Sequence, residues 1–228
     1  MELKKCVNHL EEIIYTLIYM SLTNYQILAL AKKMNTPLER VCFKDELKDE
    51  PLKYNRGYIV NLSDSVFKDG TQAEGTHYVA FFVKKCMNGK VEPIAFDSYG
   101  VAPCQEIMDY INDGKTPPYN KVDIQSICGE MCGWFCLAFL YYISAYPKKC
   151  HSLYSDADHF CDLFEDLNKN SDWKYNEYVL KCFFRSSDKA ERDANPIAIF
   201  NDAKKGSQFK NINYAKGIAD ISTVNSKV

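Results

Sequence analysis

The chain has 228 residues, of which 46% are hydrophobic and 25% charged, and its formal net charge is −2. This length is sufficient for one well-buried core, and the composition excludes a chain that is disordered throughout. The 28 basic and 30 acidic residues form no long run of one sign, so nothing in the charge pattern indicates a nucleic-acid-binding protein.

The first 36 residues predict a helical N-terminal part. Residues 2–20 carry apolar side chains at helical spacing, and residues 25–34 predict a second helix after the N-cap residue Thr23. Two glutamates precede the apolar run at 13–20 and no small-residue cleavage site follows it, so we expect neither a signal peptide nor a membrane span. The ten cysteines are then expected to be reduced, as buried side chains, metal ligands or catalytic thiols.

The middle of the chain changes to short runs rich in β-branched and aromatic residues. Residues 38–56 are charged and predict irregular structure, and strand-like runs follow at 56–63, 77–85, 91–100 and 121–127. The dipeptide Asn88-Gly89 predicts a tight hairpin between the second and third runs. Residues 104–113 predict a helix that Gly114 ends. We therefore expect a sheet of four or five strands.

A long apolar segment at 133–146 is typical of a helix that is buried on all sides. Two covering helices are predicted at 156–168 and 173–185, with Ser155 and Ser171 as their caps. Residues 196–200 predict a short docking strand, and 201–228 predict a polar C-terminal tail.

The predicted fold class is therefore α+β, built around one sheet and one central helix. We expect a single domain over residues 1–200. Its parts are a helical segment at 1–36, a core at 56–146 and covering elements at 155–200.

Cys132 is the candidate nucleophile, because it lies where the run 121–127 meets the buried helix. In the first turn of a helix, the dipole and the free backbone N–H groups favour the thiolate form of a cysteine. Gly133 follows directly and leaves room for a substrate carbonyl to approach the backbone. The alternative is that Cys132 is only a small buried side chain, as we expect for Cys136.

His77 and Asp97 are the candidate base and the group that orients it, both of which nucleophilic catalysis by cysteine requires. If the Asn88-Gly89 hairpin is antiparallel, the start of one strand lies beside the end of the next, and the two side chains become neighbours. Counting from a turn centred between 88 and 89 pairs residue 77 with residue 100, so a bulge or a longer loop is expected. Gln125, seven residues before Cys132, is a candidate second donor to an oxyanion, beside the Cys132 N–H.

Three blocks together resemble the adenovirus protease (adenain) family, over about residues 20–145. They are Gly75-Thr76-His77-Tyr78, Phe96-Asp97-Ser98-Tyr99-Gly100, and Gln125 placed six residues before Cys132-Gly133-Trp134-Phe135-Cys136. The family includes the capsid-maturation proteases of virophages and Polinton-like elements, and its clan contains the SUMO proteases. The resemblance implies a papain-like fold, with a central mixed sheet and the nucleophile at the N-terminus of a buried central helix. It also implies a Cys-His-Asp triad of Cys132, His77 and Asp97, with Gln125 at the oxyanion.

The function implied by this resemblance is a cysteine endopeptidase that processes viral capsid or scaffold proteins during virion maturation. The expected setting is the virion, and the host cell cytoplasm or a viral factory. The adenovirus enzymes have Glu in place of Asp97 and Trp in place of Tyr78. Their activating peptide is bound through a cysteine where this chain has Gly114, and their DNA cofactor finds no support in a net charge of −2. We therefore predict a monomer without cofactor, metal or membrane contact, and leave an activating peptide or nucleic acid open.

Three other functions are the alternatives to this one, and the sequence supports each of them less well. A deconjugating protease for SUMO or ubiquitin would belong to the same clan, although those enzymes have Gln five residues before the nucleophile. An interaction domain without catalytic activity would lack some of the catalytic residue types, all of which are present here. A zinc site would draw on the cysteine and histidine residues near the central helix, whose spacing fits zinc motifs poorly: Cys128, Cys132, Cys136, His151, His159 and Cys161.

Overall fold

The computed structural model describes residues 21–71, 75–127, 129–145, 152–169 and 173–185. These residues form an α+β structure around one four-stranded mixed sheet, with the strands in chain order. The strands are β1 (Leu38–Phe43), β2 (Arg56–Asn61), β3 (Tyr78–Lys85) and β4 (Val91–Phe96). β1 pairs with β2 in parallel, and the other two pairs are antiparallel. The helices are α1 (Asn24–Met34), α2 (Gln105–Asn112), α3 (Cys132–Ala145), α4 (Leu153–Cys161) and α5 (Trp173–Arg185).

The predicted helix at 25–34 is confirmed, because its ends are encoded locally. Thr23 and Gln26 form a reciprocal capping box at the start of α1, and Asn35 ends it in the left-handed conformation with φ 57°. The predicted helix at 2–20, the cap Ser171, the strand at 196–200 and the tail at 201–228 lie outside the described residues.

Two predictions for the middle of the chain are wrong. Residues 38–43 form β1, followed by a 3₁₀ helix at Lys44–Asp49, where irregular structure was expected. Pairing with β2 and burial of Cys42 at 2% exposure outweigh the local charge of this segment. Residues 121–127 form a loop and not a strand, since the N–H groups of Ile124 and Gln125 both donate to the Ser98 carbonyl.

Helix α3 is the centre of the molecule, as its apolar sequence predicts. Each residue from Trp134 to Leu140 is at most 1% exposed. The helix packs between one face of the sheet and the helices α4 and α5, and Phe139 stacks on Phe96 of β4 at 4.4 Å. A second apolar cluster fills the opposite face of the sheet under α2. The sheet therefore has a core on both faces, and β3 is buried between them.

The covering helices were predicted with mixed success. Helix α5 has the predicted bounds, whereas α4 begins at Leu153 and ends at Cys161. Its cap is Ser152, whose hydroxyl accepts the N–H of Ser155, so the predicted cap Ser155 lies in the first turn. Within the described part of the chain, no helix is both long enough and apolar enough to cross a membrane.

Candidate active site

His77 and Asp97 meet at the end of the β3–β4 hairpin. His77 directly precedes β3 and Asp97 directly follows β4, and His77 Nε2 lies 2.8 Å from Asp97 Oδ1. The side chains are only 13% and 8% exposed. The register pairs Ala80 with Phe96, and its continuation puts Tyr99 opposite His77, one residue from the predicted partner. Asp97 therefore reaches His77 from the first residue beyond the strand, without the expected bulge.

The backbone of Asp97 is fixed by a buried amide. Asn120 is 1% exposed, and its Oδ1 accepts the Asp97 N–H at 2.8 Å while its Nδ2 donates to the Asp97 carbonyl at 2.6 Å. The Tyr99 N–H donates to Asp97 Oδ1 at 2.9 Å. One carboxylate oxygen thus accepts both this N–H and the bond from His77.

Cys132 is the first residue of α3, which packs on β3 and so brings the thiol to His77. The sulfur accepts the Tyr78 N–H at 3.5 Å, and the residue is 8% exposed. A Cβ at Gly133 would lie 3.3 Å from the Ile27 side chain and 3.4 Å from that of Leu22. The structure thus gives Gly133 a packing role, because it allows α1 to approach the start of α3 closely.

The pKa of His77 is raised from 6.5 to about 9. Burial by itself lowers this pKa, but hydrogen bonds to Asp97 and Cys132, together with the negative charges of both groups, outweigh burial. Since Nε2 is bonded to Asp97, Nδ1 is the ring nitrogen that remains for Cys132. The site therefore favours the imidazolium form of His77.

Other buried cysteines lie in surroundings that keep them protonated. Burial raises the pKa of Cys42 to about 12, and it raises the pKa values of Cys136 and Cys161 strongly. A thiol that stays protonated at neutral pH is a poor nucleophile. The chemistry of these three residues is accordingly that of small apolar side chains.

Gln125 lies beneath the site. It is 2% exposed, and its Nε2 donates to the Gly129 carbonyl at 2.8 Å and to the Tyr99 hydroxyl at 3.4 Å. Its Oε1 accepts the Ser98 hydroxyl at 2.9 Å. The amide is thus linked to His77 and Asp97 through Tyr99, and its role at an oxyanion stays a prediction.

Cys132, His77 and Tyr99 lie in one cleft of about 680 Å³. Its walls include residues 21–25, which lead into α1, and three residues of the loop before α3, namely Ile127, Gly129 and Glu130. Tyr25 and Ile127 are 85% and 86% exposed there, so each wall presents an apolar side chain to solvent.

Sequence reasoning gave Tyr99 and Asn120 no role, although both contact Asp97. Tyr99 had a signal, since counting across the Asn88-Gly89 hairpin gives residue 100 as the partner of His77, one residue from the observed partner Tyr99. Asn120 had none, because its position follows from how the loop at 119–125 packs against β4.

Among the described residues, no group of three or more His, Cys, Asp or Glu side chains could hold a metal ion. Two members of the zinc alternative, Cys128 and His151, lie outside those residues. Cys136, a third member, donates from its sulfur to the Tyr78 carbonyl at 3.3 Å.

The sequence was also compared with known proteins. No protein-family model matches the chain, and none of the curated proteins matches it.

Proposed function

We propose that this protein is a cysteine endopeptidase in which Cys132 is the nucleophile, His77 the general base and Asp97 the orienting group. The observation that carries the proposal is the 2.8 Å contact of His77 Nε2 with Asp97 Oδ1, beside a cleft that Cys132 also lines. A base that is itself oriented, next to a sulfur at a helix start, is the arrangement that activates a thiol.

The chemistry would proceed in two halves. In the resting pair His77 Nδ1 already holds the proton of Cys132 as an imidazolium, and the thiolate Sγ attacks the scissile carbonyl carbon while the carbonyl electron pair moves onto oxygen. The Cys132 N–H and Gln125 stabilise that oxyanion. Collapse of the intermediate breaks the C–N bond, and the imidazolium gives its proton to the leaving amine. Water, deprotonated by His77, then hydrolyses the thioester, which releases the carboxylate product and restores the thiol.

We also propose an adenain-like form of the papain fold and a substrate among viral capsid or scaffold proteins. Support for the fold comes from the position of Cys132 at the start of the central helix and from the approach of His77 and Asp97 from adjacent strands. Support for the substrate comes from the sequence blocks that resemble that family. The proposed setting is the virion and the viral factory or cytoplasm of the host cell.

The first test separates the nucleophile from its neighbours. Cys132→Ala is expected to abolish peptide cleavage in the full-length protein, while Cys136→Ala and Cys42→Ala retain the chemistry because their thiols are buried and protonated. Alkylation by iodoacetamide at neutral pH, mapped by mass spectrometry, should modify Cys132. A Cys132→Ala protein that still cleaves would overturn the assignment.

The second test separates the substrate classes. The purified enzyme is offered a capsid precursor and, in parallel, a SUMO or ubiquitin fusion, and new termini are identified by mass spectrometry. Cleavage of the precursor supports capsid maturation. Rapid processing of the fusion with an intact precursor would instead identify a deconjugating protease.

A further inference from the structure

Tyr99 contacts the other polar residues of the site through three separate groups. Its ring stacks on the His77 imidazole, with centroids 4.4 Å apart and planes inclined by 19°. Its N–H donates to the same Asp97 oxygen that His77 contacts, and its hydroxyl accepts from Gln125 Nε2 at 3.4 Å. Ring, backbone and hydroxyl therefore each touch a different member of the site.

The stacking contact has a direct consequence for the imidazole. A ring placed over one face of His77 prevents rotation about χ2 and keeps water from that face. The hydrogen bond with Asp97 fixes one edge of the imidazole ring, whereas the stacked Tyr99 ring fixes the plane of the imidazole. Both constraints are needed if Nδ1 is to point at Cys132.

We propose that Tyr99 is a positioning residue that holds the His77 ring in the plane joining Asp97 to Cys132, and that it does so mainly through its aromatic face. This inference rests on the proposed function and deepens it. The hydroxyl contributes less, because it only helps to orient the buried Gln125 amide beneath the site.

The ionisable groups around His77 define what should change when the ring is removed. In the described part of the chain, Asp97 and Cys132 contact the imidazole, Tyr99 lies over its face, and the same cleft is also lined by Tyr25, Tyr78 and Glu130. Burial alone lowers the pKa of His77, but the contacts with Asp97 and Cys132 raise it above its ordinary value. Admission of water screens the two anions, so this pKa should return toward its ordinary value.

The experiment compares Tyr99→Phe with Tyr99→Leu in the full-length protein. The rate of Cys132 alkylation is measured as a function of pH. This profile reports on the thiolate–imidazolium pair and needs no peptide substrate. Values of kcat and KM are measured separately with a peptide that the enzyme cleaves. Tyr99→Leu should shift the alkaline inflection of the alkylation profile down by about 1 pH unit and lower kcat about 100-fold with little change in KM. Tyr99→Phe should keep the inflection and lose at most about tenfold in kcat.

The outcomes distinguish this inference from the proposed function. A wild-type profile without an alkaline inflection would contradict the ion pair, and so the proposed function itself. A wild-type inflection that Tyr99→Leu leaves unchanged would overturn the inference alone. Equal losses in Tyr99→Phe and Tyr99→Leu would transfer the role from the ring to the hydroxyl, which also overturns it. Tyr54→Leu, which removes a partly exposed tyrosine outside the cleft, is the matched control, and thermal unfolding of each variant checks that the fold is retained.

Discussion

Cys132 and Cys136 lie one helical turn apart, yet the same residue binds them in opposite ways. The Tyr78 N–H donates to the sulfur of Cys132, whereas the Tyr78 carbonyl accepts from the sulfur of Cys136. A donor facing a sulfur suits a thiolate, and an acceptor facing it suits a protonated thiol. Burial also raises the pKa of Cys136. The protein thus distinguishes two neighbouring cysteines by the two backbone groups of one residue, its N–H facing Cys132 and its carbonyl facing Cys136.

Substitution of Asp97 by Asn tests the charge that acts on His77. The pKa of His77 is raised to about 9, so the imidazolium is present below that pH and is lost above it. We expect the wild-type activity to fall as pH rises through about 9. Asp97→Asn removes a negative charge that stabilises the imidazolium, so its alkaline limb should move toward 6.5, the ordinary value for His77. The pH profile of kcat/KM is the measurement.

The same substitution has a consequence for stability. A histidine with a raised pKa in the folded state contributes stability that is complete below about pH 6.5 and is lost as pH rises through about 9. Asp97→Asn should flatten this dependence of the unfolding midpoint. Asp109→Asn, an exposed carboxylate on α2, should change neither profile. If the alkaline limb of Asp97→Asn coincides with that of wild type, Asp97 does not act on His77 as described.

The loop at 119–125 shows why one element could not be predicted from the sequence. Its residues suit a strand, but Asn120 binds the N–H and carbonyl of Asp97 with its side chain, as a neighbouring strand would do with its backbone. Ala95 and Tyr119 form the only bridge to β4 in the described residues that lies outside the named strands. By contrast, the capping box of α1 and the apolar face of α5 are local signals, and both helices were predicted correctly.

Asn120→Ala is therefore expected to be costly. It leaves the N–H and carbonyl of Asp97 buried without partners, which costs about 2–4 kcal/mol in free energy of unfolding. Since Asp97 is then held less firmly, activity should fall about tenfold or more in the protein that remains folded. Urea unfolding and kcat measured at a temperature well below the transition are the readouts.

Asn112→Ala is the control for this experiment. Asn112 donates to the Lys115 carbonyl at an exposed position, and its loss should cost less than about 1 kcal/mol. A destabilisation of Asn120→Ala no larger than that of Asn112→Ala would show that the buried amide does not support Asp97.

At the scale of the whole molecule, the site depends on contacts of different range. The meeting of His77 and Asp97 follows from a short hairpin, and the sequence could predict it. The approach of Cys132 depends on the packing of α3 against β3, more than fifty residues apart along the chain. The sequence nevertheless predicted Cys132 at the start of the central helix, from the apolar character of that helix and from the family resemblance. The contacts of the Asn120 side chain with the Asp97 backbone are set by tertiary packing that no local pattern encodes.

The packing of the sheet on α3 gives a prediction for the core itself. Gly57 in β2 lies so close to α3 that a Cβ would be 2.7 Å from both terminal methyl groups of Leu140. Gly57→Ala should therefore overpack the core and lower the free energy of unfolding by about 1–3 kcal/mol. Neither residue lines the cleft, so kcat at low temperature should stay within about twofold of wild type.

A double-mutant cycle tests whether that contact is responsible. Leu140→Val shortens the side chain that meets the new methyl group, and alone it should cost about 1 kcal/mol through the space it leaves. In combination with Gly57→Ala, the shortened side chain makes room for the added methyl group. The free energy of unfolding of the double variant should therefore be about 1 kcal/mol higher than the sum of the two single effects predicts. Free energies from urea unfolding of the four proteins give the coupling. Strict additivity would mean that the cost of Gly57→Ala arises elsewhere, for example in the pairing of β2 with its neighbours.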